Sequence, residues 1–162
     1  MGINAQQLKD LVVIPVLKLM ELDSGSAIDL VMGTAAQESH MGKYIRQVGF
    51  DDSKNGAFGI YQIELLTHDD VFYRFLKERK SRIYSLCERL KIEALTDSQN
   101  LTANLFYSTA ICRAKYLMIS APLPEENDLI GLAKYWKKYY NTDLGRGTMD
   151  EFIDNFKYWC KK

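Results

Sequence analysis

Between Met41 and Ile63 the chain carries Gly42, Gly49, Asp51, Asp52, Ser53, Asn55, Gly56 and Gly59. No long helix accommodates that density of turn-forming residues. On both sides of it, apolar residues recur at helical spacing. The chain must therefore fold as a helical body that holds one irregular segment. Asn55-Gly56, between short mixed stretches, predicts a hairpin or folded loop within it. The expected class is all-α, with a short irregular or β-hairpin segment near residues 41–63. Rigid scaffolds often present chemistry on such loops, which makes this segment the first candidate region for a site.

Asn4 with Gln7 predicts a helix cap, and Leu8, Leu11, Val12, Pro15, Leu19 and Leu22 continue the stripe, with Pro15 kinking or dividing it. Ser24-Gly25-Ser26 breaks that helix, and a second is expected over about 26–40, with Ser26 and Asp29 as its capping pair. Thr67 is expected to cap a third helix striped by Phe72, Phe75, Leu76, Ile83, Leu86 and Leu90. A helix over about 98–119 and another following Pro124, with Leu129, Leu132, Ala133, Trp136 and Tyr140, come next. Thr148 and Glu151 form a capping box for a last helix bearing Phe152, Phe156 and Trp159.

The 162 residues suit a single domain, 1–162, because no linker, repeat or low-complexity tract divides them. An apolar share of 47% with 26% charged residues is that of an ordinary globular chain. Lys and Arg number 21 against 21 Asp and Glu, so no basic excess exists to neutralise a row of phosphates, and nucleic acid is not an expected partner. Lys77, Arg79, Lys80, Arg82 and Arg89 cluster, but Glu78 and Glu88 intervene, which reads as a solvated face. No run approaches the roughly 20 apolar residues of a membrane span. Nor does Leu11 to Leu17 have the basic leader and cleavage site of a secretory signal, so neither a signal peptide nor integral membrane association is expected. Cys87, Cys112 and Cys160 form no C-x-x-C pair and read as free thiols of a reducing compartment, with a Cys–His nucleophile as the alternative.

On a helical wheel, turning about 100° per residue, Ile28, Val31, Met32 and Ala35 share one arc, and Glu38 and Ser39 fall on it too. Glu38 thus stands where the pattern calls for an apolar side chain. Burial there disfavours its charged form, and the negative end of the helix dipole acts in the same direction. A general acid for a glycosidic oxygen needs that neutral state at working pH. The plain alternative is a helix-end glutamate that reaches solvent or pairs with Lys43 or Arg46.

Ala35-Ala36-Gln37-Glu38-Ser39, followed by Gly56-Ala57-Phe58-Gly59-Ile60-Tyr61-Gln62-Ile63 and Thr67, resembles the soluble lytic transglycosylases and related lysozyme-like domains. In that family a Glu-Ser pair ends a helix and supplies the catalytic acid, and a Gly-Leu-Met-Gln-Ile-x-Pro-x-Thr element lines the glycan groove. Glu38 and Ser39 match the first element, and Gly59, Ile60, Tyr61, Gln62, Ile63 and Thr67 match the second, with Leu65 in place of the Pro and Glu64 at the variable position. Leu105 to Leu117 is similar to the helix that ends in Tyr-Leu, without its Gly. Leu132-Ala133-Lys134-Tyr135 is similar to the Ala-x-Tyr-Asn element, with Trp136 where Asn is expected. The likeness runs from about Ala27 to Tyr140. The arrangement also resembles small lysozyme-like proteins of tailed bacteriophages.

The resemblance implies a lytic transglycosylase that cleaves the MurNAc–GlcNAc β-1,4 bond of peptidoglycan, with Glu38 as the single catalytic acid and base. It implies a substrate groove made by Ser39, Gly59, Tyr61, Gln62, Ile63 and Tyr135, the Tyr135 hydroxyl facing Glu38. It implies no cofactor and no metal, glycan strands as substrate, other virion proteins as partners, and synthesis in a host cytoplasm before action on the wall. A muramidase of the same fold is the nearest alternative, because Glu64, Asp51, Asp52, Asp69 and Asp70 are candidates for a second carboxylate. A catalytically inactive virion or glycan-binding module is another. Thr67-His68-Asp69-Asp70 reads as a helix-capping turn, or with His40 as a metal site, although no spacing such as H-E-x-x-H is present.

Overall fold

The computed structural model describes residues 2–49, 56–142 and 145–161. Asn4 opens the first helix as expected, its side chain accepting from the Gln7 N–H at 3.0 Å. Helix α1 (Ala5–Leu8) passes through a π-helical stretch, Lys9–Val13, into α2 (Ile14–Met20). Pro15 therefore falls in the first turn of α2, where its missing N–H costs least. Just before it the ladder shifts register, and the Ile14 N–H bonds the Lys9 carbonyl.

Helix α3 (Gly25–Ser39) begins at Ser24 instead of Ser26: the Ser24 hydroxyl accepts from the Ala27 N–H at 3.3 Å, and Ser26 is buried. Gly33 lets α9 (Met149–Cys160) approach closely, since a Cβ there would stand 2.3 Å from the Phe152 ring. At the other end His40 and Met41 turn left-handed, and Met41 N–H returns to the Ala35 carbonyl at 3.1 Å. The chain is thereby reversed directly after Glu38.

The irregular segment contains the expected hairpin, but its turn lies later than Asn55-Gly56. Strands β1 (Ala57–Phe58) and β2 (Ile63–Glu64) pair antiparallel, with Phe58 opposite Ile63, so Gly59 to Gln62 makes the turn. Asn55 lies outside the described residues. Gly59 is sterically required: its φ is +75°, and a Cβ there would meet the Leu101 carbonyl oxygen at 1.9 Å.

Three further boundaries differ from expectation. Helix α4 (Leu65–Asp69) starts before Thr67, which lies inside it, and continues as a π-helical stretch, Asp70–Lys77. The long third helix is interrupted at Lys80, whose φ is 49°, and Ser81 caps a new one, α5 (Arg82–Leu90). The 98–119 helix is divided into α6 (Asp97–Ala103) and α7 (Leu105–Leu117) by Asn104, which leaves helical geometry. Its side chain accepts from the Tyr107 N–H and donates to the Leu90 carbonyl, and these bonds replace the helical ladder. Helix α8 (Leu129–Trp136) runs into a π-helical stretch, Lys137–Asn141, and the Thr148–Glu151 capping box opens α9 as expected.

The protein is mainly helical, with the two-stranded hairpin as its sheet. Helix α3 packs along α9, with α8 and α7 against its other sides. Ala110, Ile111, Cys112 and Ala114 of α7 are fully buried, which makes it the central helix. Among the described residues, no helix is long and apolar enough to cross a membrane.

Candidate active site

The reversal after α3 leaves Glu38 in the last helical turn, at a cleft of about 850 Å³. Its partner is neither Lys43 nor Arg46. The Trp136 indole N–H donates to Glu38 Oε1 at 2.9 Å. Trp136 is fully buried and stacks on Phe152 with ring centroids 5.2 Å apart, so the donor is held rigidly by α8 and α9. Among the described residues Oε2 has no hydrogen-bond partner. Burial pushes the Glu38 carboxyl up to about 7, against the opposing effects of the Trp136 N–H and the nearby Lys115 charge. A carboxyl in that condition can donate a proton near neutrality and take it back.

The neutral amides of Gln37, Gln47, Gln62 and Asn141 line the same cleft, with Thr67, Glu64 and Lys115. Gln62 Nε2 donates to the Gly59 carbonyl at 2.8 Å and to the Tyr44 carbonyl at 3.2 Å, which fixes the amide. Tyr140 forms part of the wall; its hydroxyl donates to the Tyr61 carbonyl at 2.7 Å and ties the helix after α8 to the hairpin. Arg146 and Gly147 close another side.

Of the residues expected at the groove, the structure brings Glu38 and Gln62 together. The other side chains are used by the fold. The Ser39 hydroxyl donates to the Ala35 carbonyl and accepts from the Gly42 N–H at 2.8 Å, closing the end of α3. Gly59 makes the hairpin turn. Tyr61 is fully buried, its hydroxyl 2.9 Å from that of Thr109, and Ile63 is a core residue. Tyr135 does not face Glu38: its hydroxyl donates to the Ala121 carbonyl at 3.0 Å, and Trp136 is the residue that reaches the carboxyl. One residue rotates a helical position by about 100°, enough to exchange the two.

The residues that reasoning from sequence missed are Lys115, Tyr140, Gln37, Gln47 and Arg146. Lys115 carried a signal, as a charged residue between Ala114 and Tyr116 on a largely buried helix that holds one other charged residue, Arg113. Trp136 carried another, because a buried indole N–H needs an acceptor. Among the candidate second carboxylates, Glu64 is exposed at the cleft, while Asp69 contacts His68 and Asp70 pairs with Arg74. Asp51 and Asp52 lie outside the described residues.

The proposed histidine–carboxylate cluster is arranged differently from the expectation. His68 is fully buried, with Nε2 2.7 Å from the Tyr107 hydroxyl and Nδ1 3.3 Å from Asp69. Asp97, not Asp70, completes a group of donor atoms within 4.8 Å of one another, and the Lys91 ammonium is already paired with Asp97. His40 lies elsewhere, stacked against Trp159. Cys87, Cys112 and Cys160 are free thiols, and burial pushes each of them up to about 12.

Fold and site together define a helical domain with a half-buried glutamate at a polar cleft. No family profile, curated protein or solved structure matches this chain.

Proposed function

We propose that this protein is a lytic transglycosylase of bacterial peptidoglycan, with Glu38 as its single general acid and base. The observation that carries the reading is the Glu38 carboxyl: half-buried at the cleft, held on one oxygen by Trp136, without a hydrogen-bond partner on the other among the described residues, and raised to about 7. In the proposed reaction Glu38 protonates the glycosidic oxygen while the substrate's N-acetyl oxygen assists departure of the leaving sugar. The Glu38 carboxylate then takes the proton of the 6-hydroxyl, and that oxygen closes the 1,6-anhydro ring. The amides of Gln37, Gln47 and Gln62 suit hydroxyl and acetamido groups, which present both donors and acceptors.

The short motifs around Glu38 and Gly59 supply the link to peptidoglycan, and with them the readings of a bacteriophage origin, carriage with other virion proteins and action at the wall. A second reading, a muramidase, is favoured by Glu64, which lines the same cleft and could activate a water. A glycan-binding module without turnover is the non-enzymatic reading.

Incubation of the protein and of Glu38→Gln with purified peptidoglycan, with products identified by mass spectrometry, separates these. Anhydro-muropeptides released only by the unaltered protein support the transglycosylase. Reducing-end products point to the hydrolase, and no release from several wall types overturns both enzymatic readings.

A further inference from the structure

Lys115 is a charged residue where the packing calls for none. It lies on α7 between the buried Ala114 and Tyr116, and its side chain ends at the cleft shared with Glu38 and Glu64. The ammonium donates to the Tyr140 carbonyl at 3.1 Å and stands 3.5 Å from the centroid of the Tyr140 ring. Tyr140 is itself anchored through its hydroxyl to Tyr61, so the cation is fixed at its seat. Among the described residues, Nζ makes no ion pair and has no second acceptor. A half-buried ammonium is costly unless it faces negative charge. The acidic groups within its electrostatic reach include Glu38 and Glu64.

We propose that Lys115 is a positioning residue for Glu38: its fixed charge stabilises the carboxylate left when Glu38 gives up its proton, and thereby sets the acidity of that group. The inference rests on Glu38 being the acid of the proposed function. In the step concerned, the proton passes from Glu38 to the leaving oxygen, and Lys115 keeps its own protons throughout. Among the described residues, the other groups facing Glu38 are the Trp136 N–H on α8, Cys112 and Tyr116 on α7, and Tyr140 after α8. The thiol and phenols are held neutral by burial, so they supply no countercharge. Arg146 lines the cleft from an exposed position, where solvent and salt screen it.

Lys115→Met keeps the length of the side chain and removes its charge. In protein labelled with 13C at the glutamate carboxyls, the Glu38 resonance is identified by its loss in Glu38→Gln. Its titration midpoint should rise by about one pH unit in Lys115→Met, roughly a tenfold loss of acidity, and the alkaline limb of glycan cleavage should move up with it. An unchanged or lower midpoint overturns the proposal. A reciprocal measurement covers the case in which Lys115→Met does not fold. Linkage requires Glu38→Gln to lower the titration midpoint of the Lys115 13Cε resonance by the same amount, and an unmoved midpoint there overturns the proposal too. These titrations need no substrate. A shifted midpoint in a protein that cleaves no glycan therefore supports the coupling and overturns the proposed function instead.

Discussion

Glu38 and His68 are both titratable side chains drawn away from water, and the fold treats them in opposite ways. His68 has a partner at each ring nitrogen, Tyr107 and Asp69, and sits within packed aromatic rings, 5.5 Å from Phe72 and 5.9 Å from Tyr107. Glu38 lines a cleft with one oxygen held by Trp136 and, among the described residues, no hydrogen-bond partner on the other. Both groups are pushed toward their neutral forms by burial. Burial alone therefore does not distinguish a working group from a structural one. The distinction lies in whether an unfilled hydrogen-bonding position faces a space that a ligand can enter.

The strongest test of that contrast is Glu38→Gln. The amide retains an oxygen for the Trp136 donor but has no proton to give, so cleavage of peptidoglycan should fall by roughly 10³ or more while thermal stability holds or rises. Equal activity in the variant would remove Glu38 from the site.

The pH dependence of stability comes next, because the two groups should act in opposite directions. Glu38 is raised from 4.5 to about 7, so the folded protein holds a proton that the unfolded chain releases between those values. Its contribution is complete below pH 4.5 and is lost as pH rises through about 7, amounting to a few kcal/mol. His68 is lowered from 6.5, so its contribution is present above that value and is lost as pH falls below it. Urea unfolding from pH 4 to 8 should show Glu38→Gln abolishing the decline toward pH 7. A decline that persists in the variant would assign it to another group.

Trp136→Phe keeps the packing against Phe152 and deletes the N–H, which favours the charged form of Glu38. The carboxyl should rise further above 7, and the alkaline limb of cleavage should move up with it, read from the pH–rate profile. A profile that stays in place would show that the indole contributes shape alone.

Tyr107→Phe should have the smallest effect. It removes the hydroxyl 2.7 Å from His68 Nε2 and should cost about 1 kcal/mol in urea unfolding, with cleavage per folded molecule unchanged. A specific loss of activity would erase the distinction between the two regions.

Much of the helical scaffold was legible in the chain, because caps and periodic stripes are local. Asn4 and the Thr148–Glu151 box stand where their side-chain chemistry puts them. The missed boundaries came from competition that pattern alone does not weigh. Asn104 gives its side chain to Tyr107 and Leu90 and thereby divides a continuous apolar stripe, while Lys80 turns left-handed within another. Glu38 was legible as a site candidate because a carboxylate occupied an apolar position on the α3 wheel. Tyr61, Ile63 and Tyr135 were not legible as core, since an apolar or aromatic residue in a motif reads alike whether it lines a groove or fills the interior.

The amino-acid sequence by itself determined that the chain is helical, that it reverses in the Gly-rich segment after α3, and that an ionisable group interrupts an apolar arc. These follow from backbone preference and side-chain periodicity, which act over a few residues. Only the tertiary structure decided that Trp136, 98 positions away, holds Glu38, and that Lys115 and Gln62 share its cleft. Helix rotation and packing set those meetings, and a turn of about 100° is the difference between Tyr135 and Trp136 at the carboxyl.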